Sequence, residues 1–203
     1  QWEFAYYDNS TQTLNKITDF SELFKDRNFT ALTNDPAGIK TGLSSWIVNY
    51  VENMSSMFKD STGFDQDLSS WNVSNVTNIA NMFENAESFN SNLSGWSVSN
   101  VTNMESLFSG AFLFNADLGS WDVSSVTNMN AMFRGALDFD QPLNNWDVST
   151  VQNMGSMFRG ASDFNQPLND WETLSVTNIN NMFREAVRFD KPINNWDISG
   201  VNQ

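Results

Sequence analysis

Hydrophobic positions in this chain recur in blocks separated by short polar runs. From Trp46 onward tryptophan returns every 25 residues, at Trp46, Trp71, Trp96, Trp121, Trp146, Trp171 and Trp196. A valine follows five residues later (Val51, Val76, Val101 and onward), a phenylalanine twelve residues later (Phe58, Phe83, Phe108 and onward). A second phenylalanine series (Phe64 to Phe189) and a leucine series (Leu68 to Leu168, then Ile193) keep the same step. Within a unit two periodicities alternate. Leu68, Trp71, Val73 and Val76 have the spacing of a leucine-rich-repeat strand, with Asn72 and Ser74 facing away from the core. Thr77 then stands as an N-cap before Ile79, Met82, Phe83 and Ala86, which mark one face of a helix of about two turns. Gly110, Gly135 and Gly160 fall near the predicted helix ends, where a left-handed residue is favoured. A turn such as Phe164 to Leu168 leads into the next strand.

Strand, helix and turn in 25 residues, restacked, predict an α/β fold. It is a leucine-rich-repeat-like solenoid of 25-residue coils, with a parallel sheet on one side and short helices on the other, about 4.8 Å per coil. Six full units and a truncated seventh occupy 46–203, and 1–45 form an N-terminal flanking or capping segment. There Trp2 and the run Phe4-Ala5-Tyr6-Tyr7 read as a strand, Phe20 and Phe24 are spaced for a helix, and Asp26 to Leu32 read as a second helix closed by Asp35-Pro36-Ala37-Gly38. At Thr173-Leu174 the usual Val-Ser is replaced, which predicts a local bulge. The start at Gln1 and the stop within a unit read as a piece of a longer protein.

Composition narrows the chemistry. The chain has 203 residues, 40% hydrophobic, with 24 acids against 10 bases and a net charge of −14. That balance opposes nucleic-acid binding and anionic membrane surfaces, both of which need basic patches. With no histidine and no cysteine, Ser-His-Asp triads, most zinc sites, thiolate nucleophiles, disulfides and iron–sulfur clusters are excluded. No run of about 18 apolar residues is present for membrane insertion.

The unit from Trp146 to Leu168 reads W-D-V-S-T-V-Q-N-M-G-S-M-F-R-G-A-S-D-F-N-Q-P-L. It resembles the BspA-like surface-protein repeat, a leucine-rich-repeat-like unit, and the likeness extends over Trp46 to Gln203. The resemblance implies an extracellular or cell-surface protein with an adhesive or recognition role. It implies no enzymatic activity and supplies no catalytic residues.

Outward positions beside each tryptophan form ladders. Asp122, Asp147, Glu172 and Asp197 follow successive tryptophans by one residue, and Ser124 and Ser149 by three. Stacked one per coil, these carboxylates repel one another unless a cation or a basic partner screens them. The face is therefore either a solvated polar surface or a ligand-binding one, in which calcium could bridge the oxygens; no EF-hand-like spacing marks a calcium site, and no cofactor is otherwise expected. Asn53, Asn78 and their equivalents read as structural ladders at coil corners, and the methionines beside the phenylalanines as core. Arg134, Arg159 and Arg184 stand in register, with Asp138 and Asp163 placed to pair with them. Sequons occur at Asn9, Asn28, Asn53, Asn72, Asn92 and Asn100, with one more at Asn75, too close to Asn72 for both to be modified. An Asn/Ser/Thr-rich repeat generates such sites by composition alone.

Together these features predict a non-enzymatic extracellular recognition or adhesion module, binding a surface protein or glycan through the acidic strand face. The alternative is a structural subunit that self-assembles through its solenoid ends, and behind it an array binder of ice, mineral or polysaccharide.

Overall fold

The computed structural model describes residues 2–3, 5–8, 13–27 and 42–201. From Asn53 onward the chain stacks in 25-residue coils that touch through a narrow ribbon of consecutive turns. In the ribbon Asn53 to Ser61, alternate N–H groups do different work. The N–H groups of Met57, Lys59 and Ser61 donate within the coil to the carbonyls of Met54, Ser56 and Phe58 (3.1–3.2 Å). Those of Met54, Ser56, Phe58 and Asp60 donate to Asn78, Ala80, Met82 and Glu84 of the next coil (2.7–2.9 Å). Each donor is thus satisfied, half locally and half between coils. The turns need a left-handed residue at every fourth place. Ser56 and Asp60 have φ of 56° and 58°, Asn81 and Asn85 57° and 56°, and Gly110, Gly135 and Gly160 take the second place in the middle coils at 68–71°.

This ribbon overturns the predicted α/β solenoid. Beyond the two short sheets near the N-terminus, parallel pairing is reduced to one isolated bridge per coil, from Asn53↔Asn78 to Asn153↔Asn178. From Asn53 onward no residue is helical among those described; the helical residues lie before the coils, at Gly42 and in a 3₁₀ turn at Leu43–Ser45. Ile79, Met82, Phe83 and Ala86 lie in the ribbon, which a right-handed helix cannot share with φ of 57° at Asn81. Over eight residues a four-residue turn period and a 3.6-residue helix give the same apolar spacing. A helix would also have consumed in-coil the N–H groups that join the coils. Thr77 accordingly caps nothing. Its N–H and hydroxyl both donate to the Glu52 carbonyl of the coil before (2.8 and 3.2 Å).

The predicted strand is broken as well. Its inward residues Leu68, Trp71, Val73 and Val76 are buried, but β-turns close at Leu68–Trp71 and Val73–Val76. The Asp67 and Asn72 side chains accept from the N–H groups of Ser69 and Ser74 (2.9 and 3.1 Å), a local pairing that competes with a ladder. Side chains join the coils on this side instead. Each tryptophan Nε1 donates to a leucine carbonyl of the preceding coil, from Trp71 to Leu43 through Trp196 to Leu168 (2.7–3.0 Å). At Thr173-Leu174 no bulge forms. The Val176 N–H reaches Thr173 as it does the valine of other coils (2.9 Å), and Thr173 fills the buried place with its hydroxyl donating to the Asp197 carbonyl.

The core is a set of aromatic columns. Phe58, Phe83, Phe108, Phe133, Phe158 and Phe183 stack at 5.6–5.8 Å, each also facing the second phenylalanine of its own coil at 3.7–4.0 Å. Such offset stacks add to plain area burial. The Asx column does the polar bonding. Asp65 accepts from the Asn90 N–H, Asn90 from Asn115, Asn115 from Asp140 and Asp140 from Asn165 (2.8–3.0 Å). No buried side-chain nitrogen or oxygen among the described residues lacks a partner.

Near the N-terminus, β1 (Trp2–Glu3) pairs in parallel with β4 (Trp46–Ile47), and β2 (Ala5–Asp8) pairs antiparallel with β3 (Thr13–Lys16). Phe20 and Phe24 belong to a ribbon, not the predicted helix. The N–H groups of Phe20, Glu22, Phe24 and Asp26 donate to Asn53, Ser55, Met57 and Lys59 (2.8–3.0 Å), with left-handed backbone at Glu22 and Asp26. The helix expected at Asp26 to Leu32 and its closing turn lie, from Asn28 on, outside the described residues.

Candidate functional site

Two exposed regions remain once the core and its ladders are accounted for. The first is the face beside the tryptophans. Asp122 and Asp147 each fold onto the turn that follows. One carboxylate oxygen of Asp122 accepts the Ser124 N–H and hydroxyl (3.1 and 2.6 Å), and Asp147 does the same with Ser149 (3.1 and 2.6 Å). These bonds hold both carboxyls below the usual carboxylate range, the serine hydroxyl contributing most. At Asp147 the neighbouring Asp122 charge works the other way. Asp197 is lowered by Ser199 likewise.

The repeat breaks in the next coil. Glu172 replaces the aspartate and Leu174 the serine, and Leu174 stands 71% exposed. Of the sequence-predicted residues, the structure brings Glu172 together with Asp197 in one groove and with Asp147 in another, and Asp122, Ser124 and Ser149 line neither. A shallow groove of about 390 Å³ is bordered by Glu172, Leu174, Asp197, Asp170 and the amides of Asn169 and Asn195. A smaller one, about 230 Å³, joins Asp147 to Asp170 and Glu172, with Asn144 donating to Asp170. Asp170, Asn169 and Asn144 were missed in the sequence because they lie before the tryptophan, in what reads as a turn. Among the described residues no group of three or more acidic side chains is gathered as a metal ion would require.

The sequons fare unevenly. Asn53 is half-buried in the bridge column, its side chain accepting from Ser55 and donating to Asp19. Asn72, Asn92 and Asn100 are exposed, yet each spends part of its amide on a turn or on the coil before. Asn9 and Asn28 lie outside the described residues.

The second region runs along the far side of the ribbon. A groove of about 490 Å³ has Gly110, Gly135 and Gly160 along it, with Arg134, Arg159 and Leu137 at its sides. The arginines do not pair as predicted. Asp163 meets Arg188 at 3.2 Å, and Asp138 has no ion pair among the described residues. Arg159 and Arg184 share Glu185 at 3.7 and 3.3 Å.

Stacked coils of one repeated unit, closed by turns and joined through side-chain columns, define a repeat protein. The chain matches the family described as Mycoplasma protein of unknown function, DUF285, over residues 3–121 and again over 113–203, and it belongs to that family. Comparison with curated proteins and with solved structures finds no match. Among the described residues no helix is long and apolar enough to cross a membrane.

Proposed function

We propose that this protein is a non-enzymatic recognition or adhesion module that binds a surface protein or glycan through the acidic face of its coils. The observation that carries the reading is the break at Glu172 and Leu174. In the two preceding coils an aspartate and a serine close on each other at this place. Here a leucine stands 71% exposed in a groove whose other borders include three carboxylates. An apolar side chain so placed offers contact area, and the carboxylates around it steer a basic partner and fix its register. Extracellular or cell-surface placement rests on the resemblance of the Trp146 to Leu168 unit to BspA-like surface-protein repeats. The reading involves no catalytic step.

The test is binding of the chain to an array of glycans and surface polymers, in calcium and in chelator, with Leu174→Ser and the Asp147→Lys/Glu172→Lys pair as variants. Leu174→Ser restores the serine of other coils and leaves folding intact. We expect each variant to bind at least tenfold more weakly, Leu174→Ser with an unchanged melting temperature and the lysine pair still folded though without the Asp147–Ser149 bonds. Hits lost in chelator place a bridging cation on the ladder. An array without hits, or hits indifferent to both variants, sinks the reading.

A further inference from the structure

The groove along the ribbon is independent of the acidic face and, unlike it, is lined by arginines. Its bottom is set by backbone. Gly110, Gly135 and Gly160 hold the left-handed place of three successive coils, and a Cβ built on Gly135 would meet only the Gly110 backbone, 3.9 Å away. Their carbonyls accept no hydrogen bond among the described residues, while their N–H groups donate to Arg134, Arg159 and Arg184 of the next coil (2.7–2.8 Å). Those ladder bonds seat one arginine beside each glycine. Charge along the groove is unbalanced. Glu84 at one end is neutralised by Lys59 at 2.6 Å, and Glu185 at the other is shared by Arg159 and Arg184. Arg134 in the middle has no ion pair among the described residues. Three of the chain's five arginines stand in this column, and two of them, Arg134 and Arg159, line the groove between Glu84 and Glu185.

We infer that this groove binds an extended acidic peptide segment of a partner, its alternate carboxylates taken by Arg134 and Arg159 and its backbone lying over the glycines. Guanidinium groups match carboxylates in a planar, two-pronged geometry, and arginine clusters are a general means of reading acidic motifs. The spacing fits. Arg134 and Arg159 each follow a phenylalanine of the column that repeats at 5.6 Å. Alternate side chains of an extended peptide recur at about 6.6–6.8 Å, a mismatch that long arginine stems absorb. Free glycine carbonyls receive the peptide N–H groups, and Leu137, 41% exposed, borders the intervening side chains. The lining holds no aromatic ring of the kind on which the apolar face of a sugar stacks, which favours a peptide over an acidic glycan.

The experiment is fluorescence polarisation of the whole chain with a labelled peptide of about seven residues, glutamate alternating with alanine, against an oligogalacturonate of equal charge. We expect saturable peptide binding that weakens at least tenfold in Arg134→Glu and as much in Gly135→Asn. The asparagine fills the bottom of the groove at a place where Asn85 already shows that this residue folds. Leu174→Ser should leave this binding unchanged. Oligogalacturonate binding without peptide binding would overturn the peptide assignment. So would absence of saturable peptide binding, or binding that Gly135→Asn leaves intact.

Discussion

Asp122 shows how far a single side chain serves its own turn. Its carboxylate is bound by the serine two residues on, and the same pairing recurs at Asp147. Both carboxyls are held below the unfolded value of about 3.9, so the folded state binds fewer protons than the unfolded one. The stability this gives is complete above that value and is lost as pH falls through the lowered folded values. Asn72 makes the same turn with an amide in place of the charge. We therefore expect Asp122→Asn/Asp147→Asn to lose less melting temperature than the parent between about pH 5 and pH 2, as read by circular dichroism. The residue scale was well legible in the sequence. Outward Asp and Ser and inward Trp and Val were all placed by alternation. What escaped was the bond between Asp122 and Ser124, because a carboxylate two residues before a serine signals a turn as readily as a solvated strand. Trp121 offers a second check. Its Nε1 donates to Leu93 at 3.0 Å in the core, and Trp121→Phe removes that inter-coil bond along with part of the buried ring, while the Leu93 carbonyl keeps the Trp96 N–H. The expected cost is about 1–3 kcal/mol in urea unfolding.

At the scale of the element, the ribbon is where the sequence misled. Met54, Met57, Phe58 and Ser61 repeat every four residues, and two repeats are too short to separate from a helix. The distinguishing signal lay at the outward places. Asn81 with Asn85, and Gly110, Gly135 and Gly160, are residues that tolerate the left-handed region, and they sit four apart or one per coil. The glycines read as helix caps when taken singly. The alignment of Phe20-Ser21-Glu22-Leu23-Phe24-Lys25-Asp26 with Met54-Ser55-Ser56-Met57-Phe58-Lys59-Asp60 was equally visible. It was hidden because these stretches lie 34 residues apart instead of 25. The ribbon makes an ordered prediction at Gly135. Space around it is open, so the cost of a side chain is conformational. Gly135→Ala is expected to lose about 1–2 kcal/mol, and Gly135→Asn distinctly less, by chemical denaturation of both variants.

Across the whole molecule, each coil contacts its neighbours through the same few bonds, which makes stability a sum of coil and interface terms. Hydrogen exchange should reveal this directly. The N–H groups of Asn81, Ser106, Ala131 and Ser156 reach the next coil at 2.7–2.8 Å and are expected to be the most protected. Those of Asn181, Phe183 and Glu185, in the same turn places of the last described coil, have no partner among the described residues and should exchange at nearly free rates. Equal protection at Ser156 and Asn181 would contradict nearest-neighbour stacking. The arginine groove belongs to this scale too, because no single unit contains it. Arg134 and Gly135 are adjacent in the chain, yet the groove exists only where three coils lay their glycines side by side.

Apart from the asparagines that open the ribbon turns (Asn78, Asn128, Asn153 and Asn178), which donate to the coil before, the inter-coil bonds of the ribbon run from an N–H to a carbonyl of the following coil. Peptide dipoles so aligned add along the stack, as they do along a helix, but with the positive pole toward the C-terminal coil, the reverse of the helical sense. The ribbon thus behaves as a polarised rod whose C-terminal pole attracts negative charge. Glu185 lies toward that end of the described ribbon, so in this 203-residue chain Glu185→Lys should destabilise its coil beyond the loss of its ion pairs, and the added part should fade as salt screens it.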